Sequence, residues 1–168
     1  MEYNINEILK TLQIVKINNN NYKLLDKNTN KQFNINTPIC YLPFGLENYK
    51  YGNKINYNIK LELNDTYFEN FIIDFEDTII KILNNINKKE YIKDSQIIFS
   101  KKYNNKLKVK IKSIYNKIIT KVKDTNDIEI SIFDICKLSN IKVNISPNIY
   151  INNNKLITKW SANLIKFA

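Results

Sequence analysis

Histidine and arginine are both absent from this 168-residue chain, glycine occurs twice, and cysteine occurs twice. Without His the chain lacks the commonest acid–base side chain and the commonest metal ligand. It also has no Gly-rich phosphate loop and no nucleophile elbow, so no catalytic residue, cofactor or metal site is expected. Cys40 and Cys136 stand far apart with no Cys-x-x-Cys spacing. They read as isolated thiols in a reducing compartment, not as a disulfide or metal pair. No basic region followed by an apolar run opens the chain, and no apolar stretch approaches membrane-spanning length. The expectation is a soluble, cytoplasmic protein with no membrane partner.

The scarce backbone specialists are gathered in one window. Both glycines, Gly45 and Gly52, and two of the three prolines, Pro38 and Pro43, fall between Asn36 and Gly52. There φ is fixed at the prolines and freed at the glycines, which predicts a kinked, turning segment. Directly after it Ile55, Tyr57, Ile59, Leu61 and Leu63 alternate with Asn56, Asn58, Lys60 and Glu62, the period of a half-buried strand.

What the chain does hold is apolar and basic. Hydrophobic residues make up 43 % and aromatics 12 %, enough for a core in one domain spanning residues 1–168. An opening helix is expected over Ile5 to Leu12, and a hairpin of Tyr22–Leu25 with Gln32–Ile35. Thr66 and Glu69 have capping-box spacing, and Phe68, Phe71, Ile72, Phe75, Ile79, Ile82, Leu83 and Ile86 recur at helical spacing. Together they predict a helix over 67–87. Asp74, Glu76 and Asp77, the one acidic cluster that could be imagined holding a nuclease metal, read instead as the acidic early turns of that helix. The remainder predicts short strands at 97–99, 107–111, 118–122, 141–145, 149–151, 156–159 and 164–167, with 131–138 as a second short helix or a strand. The fold class is mainly β with one long helix (α+β), arranged as an OB-like small β-barrel or a sandwich.

The net charge is +10, with 26 basic residues, all Lys, against 16 acidic ones. Codon bias in an AT-rich genome accounts for abundant Lys, Asn and Ile. Such drift would also supply Asp and Glu and does not easily explain the surplus, which points to a polyanionic partner. Eleven Tyr, many beside Lys, add flat rings to that charge, the chemistry of single-strand binding by stacking and phosphate contact. Candidate stacking residues are Tyr49, Tyr51, Tyr103, Tyr115 and Trp160. Candidate phosphate contacts are Lys50, Lys54, Lys106, Lys108, Lys110 and Lys112, the last four read as a basic stripe on one strand face. That stripe reads equally well as an ordinary solvated face that blocks edge-to-edge pairing. Lys supplies point charge without the bidentate fork by which Arg reads guanine, so binding tolerant of sequence is expected.

The segment Thr37-Pro38-x-x-Tyr41-Leu-Pro-Phe-Gly-Leu46, the alternating strand after it and the Phe71–Leu83 helix resemble the OB-fold single-stranded DNA-binding proteins of podophages and large cytoplasmic DNA viruses. Leu107–Lys112 and the Tyr150–Trp160 region would be that family's late lysine-bearing strand and late aromatic. The resemblance implies a replication protein without enzymatic activity that binds single-stranded DNA, with RNA as an alternative ligand. Replication proteins and a homodimer are further partners it allows. Podophage members end in an acidic tail that recruits partners; Lys159-Trp-Ser-Ala-Asn-Leu-Ile-Lys-Phe-Ala168 has no acid, so that mode is not implied. The competing reading is a structural or assembly subunit of a virus-like element, whose Tyr residues pack against protein and whose charge is compositional.

Overall fold

The computed structural model describes residues 3–168. Helix α1 (Ile5–Thr11) is capped by Asn4, whose side chain accepts from the Asn6 and Glu7 amides. It runs directly into β1 (Leu12–Asn18), and the Asn run that follows turns the chain into β2 (Asn21–Asp26). After β3 (Ile35–Asn36) and β4 (Cys40–Leu42), the Pro/Gly window leads into β5 (Glu47–Tyr51) and β6 (Lys54–Glu62). Helix α2 (Thr66–Asn87) comes next, followed by β7 (Ile92–Asp94), β8 (Ile97–Ile98) and β9 (Lys106–Ile111). Four short strands follow: β10 (Ser113–Ile114), β11 (Lys117–Ile118), β12 (Lys121–Lys123) and β13 (Glu129–Ile130). Two long strands close the chain, β14 (Ser139–Asn152) and β15 (Lys155–Phe167).

The described chain packs as two compact units, the first built from residues 3–33, 65–96 and 147–159, the second from 34–64, 97–146 and 160–168. In the first, β1 pairs β2, β2 pairs the late half of β14, and β15 pairs β7. The buried side of this sheet carries Tyr22, Leu24, Ile149 and Leu156. α2 serves that side. Its Phe75 stacks on Phe33 at 5.7 Å between ring centres, and Asn87 Nδ2 donates to Tyr22 Oη at 3.0 Å. The helical stripe of Phe68, Phe71, Ile72, Phe75, Ile79 and Leu83 is buried, each side chain contributing about 1.5–3 kcal/mol relative to exposure.

In the second unit, β14 pairs β4, β4 pairs β6, β6 pairs β9, β9 pairs β15, and β15 pairs β14. Five strands therefore close a ring, with β9 and β15 parallel and β6 and β9 antiparallel. Ile59, Leu61, Leu107, Val109, Ile141, Val143, Ala162 and Ile165 fill it. The fold is α+β and mainly β, with an OB-like barrel.

Several local expectations give way to stronger physics. Asp65, not Thr66, caps α2, accepting from the Phe68 amide at 3.0 Å, because a carboxylate one residue earlier satisfies the orphan donor better. The first hairpin joins β1 to β2 across the Asn run. The expected hairpin after it forms in part: β2 turns back at Asp26–Lys31, Leu25 bridges Gln32, and the Phe33 amide donates to the Leu24 carbonyl at 2.8 Å, but 32–35 does not continue as a paired strand of β2. Segment 131–138 holds a single 3₁₀ turn, Ile132–Asp134. The runs at 141–145 and 149–151 are one strand through Pro147. Proline falls where β14 changes partner on one side, from β3 at Ile145 to β2 at Asn148, a break in the ladder that suits a residue without an amide donor. The runs at 156–159 and 164–167 likewise merge into β15.

Candidate nucleic-acid interface

The candidate interface lies in the second unit, on the outward side of β6 and β9. Register decides which residues reach it. Leu61 faces Leu107 and Ile59 faces Val109 on the buried side, so the intervening pairs, Glu62 with Lys106, Lys60 with Lys108, and Asn58 with Lys110, stand on the other. Lys60 directly opposite Lys108 places like charges across the ladder, an arrangement that costs stability. Glu47 Oε1 relieves part of it, 2.9 Å from Lys60 Nζ.

Rings stand between these cations. Phe44, 54 % exposed, lies 5.4 Å from Lys60 Nζ and 5.9 Å from Lys106 Nζ, measured to the ring centre. Tyr103 takes Lys106 Nζ at 5.8 Å and Lys102 Nζ at 5.5 Å, and Tyr49 takes Lys108 Nζ at 5.2 Å. Lysine and ring thus alternate along one strip, each ammonium drawn to a ring's negative face while another side of the ring stays open to solvent.

The backbone explains how the rings are held. Gly45 has φ +70°, and a Cβ there would sit 2.9 Å from the Lys137 amide nitrogen. Only glycine permits this turn to lie against residues 135–137, and the turn is what carries Phe44. Tyr103 is set by a loop in which Ser100 Oγ accepts from the Tyr103 amide at 3.0 Å and Asn105 Oδ1 accepts from the Ser100 amide at 2.9 Å. β5 and β6 form a ribbon turning at Gly52, where φ is +59°. Tyr49, Tyr51 and Lys54 project from the same side of that ribbon as Lys60, and Tyr51 is 81 % exposed at its tip. Lys50, one residue out of phase, projects from the reverse side and is exposed.

The other candidate residues lie elsewhere. Lys110 is half-buried beside Asn58. Lys112 follows the end of β9 and is drawn into a polar cluster. Its Nζ donates to Ser146 Oγ at 3.1 Å and to Asn163 Oδ1, Asn163 Nδ2 donates to Asn144 Oδ1, and Asn144 Nδ2 donates to Asn34 and Asn36. The stripe of four lysines therefore does not run its full length outward: Lys112 ties strands together. Trp160 departs furthest from its reading. It is 1 % exposed, opposite Val109 in the β9–β15 ladder, and offers no ring face to a base. The resemblance made it the late aromatic, yet strand alternation turns Trp160 inward. Tyr115 is 98 % exposed at the tip of the β10–β11 hairpin, with φ of +47°, apart from the lysine–ring strip in its own two-stranded sheet.

Phe44, Lys60 and Lys102 belong to the strip and are absent from the sequence-based candidates. A large apolar residue between Pro43 and Gly45, in a turn that cannot bury it, was the available signal. Of the acidic cluster on α2, Glu76 is buried and Asp77 accepts from Lys93 at 2.5 Å. Among the described residues no group of three or more Cys, Asp or Glu is placed to hold a metal ion.

No protein-family model matches the chain. No curated protein matches it either. Among solved structures it is similar to the single-stranded DNA-binding protein from bacteriophage Enc34 in complex with ssDNA, with a TM-score of 0.60 and 13 % identity over 95 % of this chain and 96 % of that one. A C-terminal truncation of the same phage protein gives 0.59 and 13 % over 95 % of each chain, and a further structure of it gives 0.58 and 13 % over 92 % and 89 %. These likenesses establish the fold.

Proposed function

We propose that this chain is a sequence-independent single-stranded DNA-binding protein, without enzymatic activity, that supports DNA replication in the cytoplasm and descends from the podophage and large DNA virus branch of OB-fold binders. The observation that carries the proposal is the alternation of exposed rings with lysines, Tyr49, Lys108, Lys60, Phe44, Lys106, Tyr103 and Lys102, along one outward barrel side, where Lys60, Lys106 and Lys108 are half-buried and Lys102 is exposed. Bases stack on flat faces whatever their identity, and each ammonium holds a phosphate. The fold shared with a phage protein solved on ssDNA supports the same reading. So does the like-charge pair Lys60 and Lys108, whose repulsion a phosphate backbone would relieve. Tyr51 and Lys54 extend the contact along the ribbon, and Lys110 lies at its inner end; Lys50, on the reverse side, and Tyr115, on a separate hairpin, stand outside it.

Affinity for a labelled oligo-dT is expected to fall with added salt by roughly 0.7 log units per log unit of salt for each phosphate neutralised. Phe44→Ala and Tyr103→Ala should each weaken binding about 5-fold or more, with Tyr103→Phe nearly neutral. A flat salt titration, or equal losses from Tyr103→Ala and Tyr103→Phe, would remove the reading. A second reading, an assembly subunit, draws on the exposed apolar residues Ile128, Phe133 and Leu138 of the same unit. It is tested by sedimentation of the full chain in the absence of nucleic acid.

A further inference from the structure

The first unit has an open sheet side that the lysine–ring strip does not use. α2 covers the side bearing Tyr22, Leu24 and Ile149, so alternation sends Lys23 of β2, Asn148 and Tyr150 of β14, and Lys155 and Lys159 of β15 to the other. The pairing of Lys23 with Asn148 and of Asn21 with Tyr150 sets these groups side by side. A groove of ≈ 240 Å³, lined by Ile17, Asn21, Lys23, Asn148 and Tyr150 among others, opens there. It is several times the roughly 30 Å³ that one water occupies. Lys159 Nζ sits 4.9 Å from the Tyr150 ring centre, repeating the lysine–ring pairing of the second unit.

Charge on this side is predominantly positive. Neither Leu12 to Leu25 nor Ser139 to Ala168 contains a single Asp or Glu. Asp26 points to the helix side of β2 and caps its own turn at the Asn28 and Thr29 amides. The one acid that alternation sends to this side of the neighbouring strand, Asp94 of β7, pairs with Ile157 at the sheet's edge. A half-exposed tyrosine flanked by unpaired-sign lysines suits a polyanion with flat rings, and uncompensated cations are poor company for an apolar protein partner.

We infer that this sheet side is a second single-stranded nucleic-acid contact, in which Tyr150 stacks one base and Lys23 and Lys159 hold the adjoining phosphates. The inference rests on the proposed function but assigns it a separate set of residues, which makes the two separable by experiment. The full chain is titrated with fluorescent oligo-dT at several salt concentrations as wild type, as Tyr150→Ala, and as the pair Lys23→Gln with Lys159→Gln. In parallel, wild-type protein is irradiated with an oligo-dT carrying 5-iodouracil, and the crosslinked peptides are read by mass spectrometry.

The expected results are an affinity loss of about 5-fold or more for Tyr150→Ala, a salt slope reduced by about 1.4 for the lysine pair, and a crosslink at Tyr150. Wild-type affinity and slope in both variants, with crosslinks confined to residues 44–108, would overturn the second contact while leaving the proposed function standing. Failure of the wild type to bind oligo-dT would overturn both. The crosslinking measurement uses unaltered protein, so a variant that fails to fold does not remove the test.

Discussion

Replacing Lys108 by Gln separates a binding role from a structural one, because the two make opposed demands on the same side chain. In the free protein Lys108 gains a contact with the Tyr49 ring at 5.2 Å, worth about 0.5–1 kcal/mol at an exposed site. It also stands opposite Lys60, a like-charge pairing that costs about 0.2–1 kcal/mol. These terms are of similar size and opposite sign, so Lys108→Gln should leave the unfolding free energy from urea melts within about 1 kcal/mol of wild type. Binding should respond differently. Loss of one phosphate contact lowers the salt slope by about 0.7, and over a fourfold rise in salt that removes about 0.4 log units, or roughly 2.5-fold, of the salt-driven weakening. Fluorescence anisotropy with oligo-dT at three salt concentrations, beside urea melts, measures both. A stability loss above about 2 kcal/mol with an unchanged slope would show that Lys108 holds the barrel and not a ligand, and the argument from opposed lysines would fail.

Other expectations follow from single contacts. Gly45→Ala forces a side chain into left-handed φ and against the Lys137 amide, so a loss of about 1–3 kcal/mol is expected; because that turn carries Phe44, oligo-dT affinity should drop with it. Asp65→Ala removes the cap of α2 and should cost about 1 kcal/mol by thermal or urea melting, with Asp65→Asn losing less. The carboxyl of Asp127 is held below the ordinary carboxylate range by its hydrogen bond and charge pairing with Lys166, with Lys123 adding to it. A depressed folded-state value means that its small contribution is present at neutral pH and lost as pH falls through the acid range. Carboxyl NMR titration should show the Asp127 midpoint rising in Lys166→Ala.

The parts of this protein that could be read from the sequence were those where one local rule acts alone. The period-two run from Ile55 to Leu63 became β6, and the helical stripe from Phe68 to Leu83 became the buried side of α2. The Pro/Gly window announced a turn, though not its purpose, because the close approach of Gly45 to Lys137 joins residues far apart in sequence. The same limit explains the site. Alternation along β9 sends Lys106 and Lys108 outward, but whether a lysine stays free depends on its cross-strand neighbours. For Lys112 those are Ser146 and Asn163, which no local pattern reveals. Trp160 was misplaced because the resemblance made it the late aromatic, while its burial is set by the ladder to Val109. Merging of the late runs into β14 and β15 was hidden by Pro147, whose tolerance depends on where strand partners change.

The ribbon of β5 and β6 has one further implication. β5 has β6 as its sole ladder partner among the described residues, and nothing lies within 4 Å of where a Gly52 side chain would be. Two strands without a third are only marginally stiff, so the arm can bend by small twists spread over several residues. Tyr49 and Tyr51 are then carried on a compliant finger, which under the proposed function would tilt to meet a purine or a pyrimidine alike. Indifference to nucleotide identity would in that case come from softness in the scaffold as much as from the chemistry of its rings.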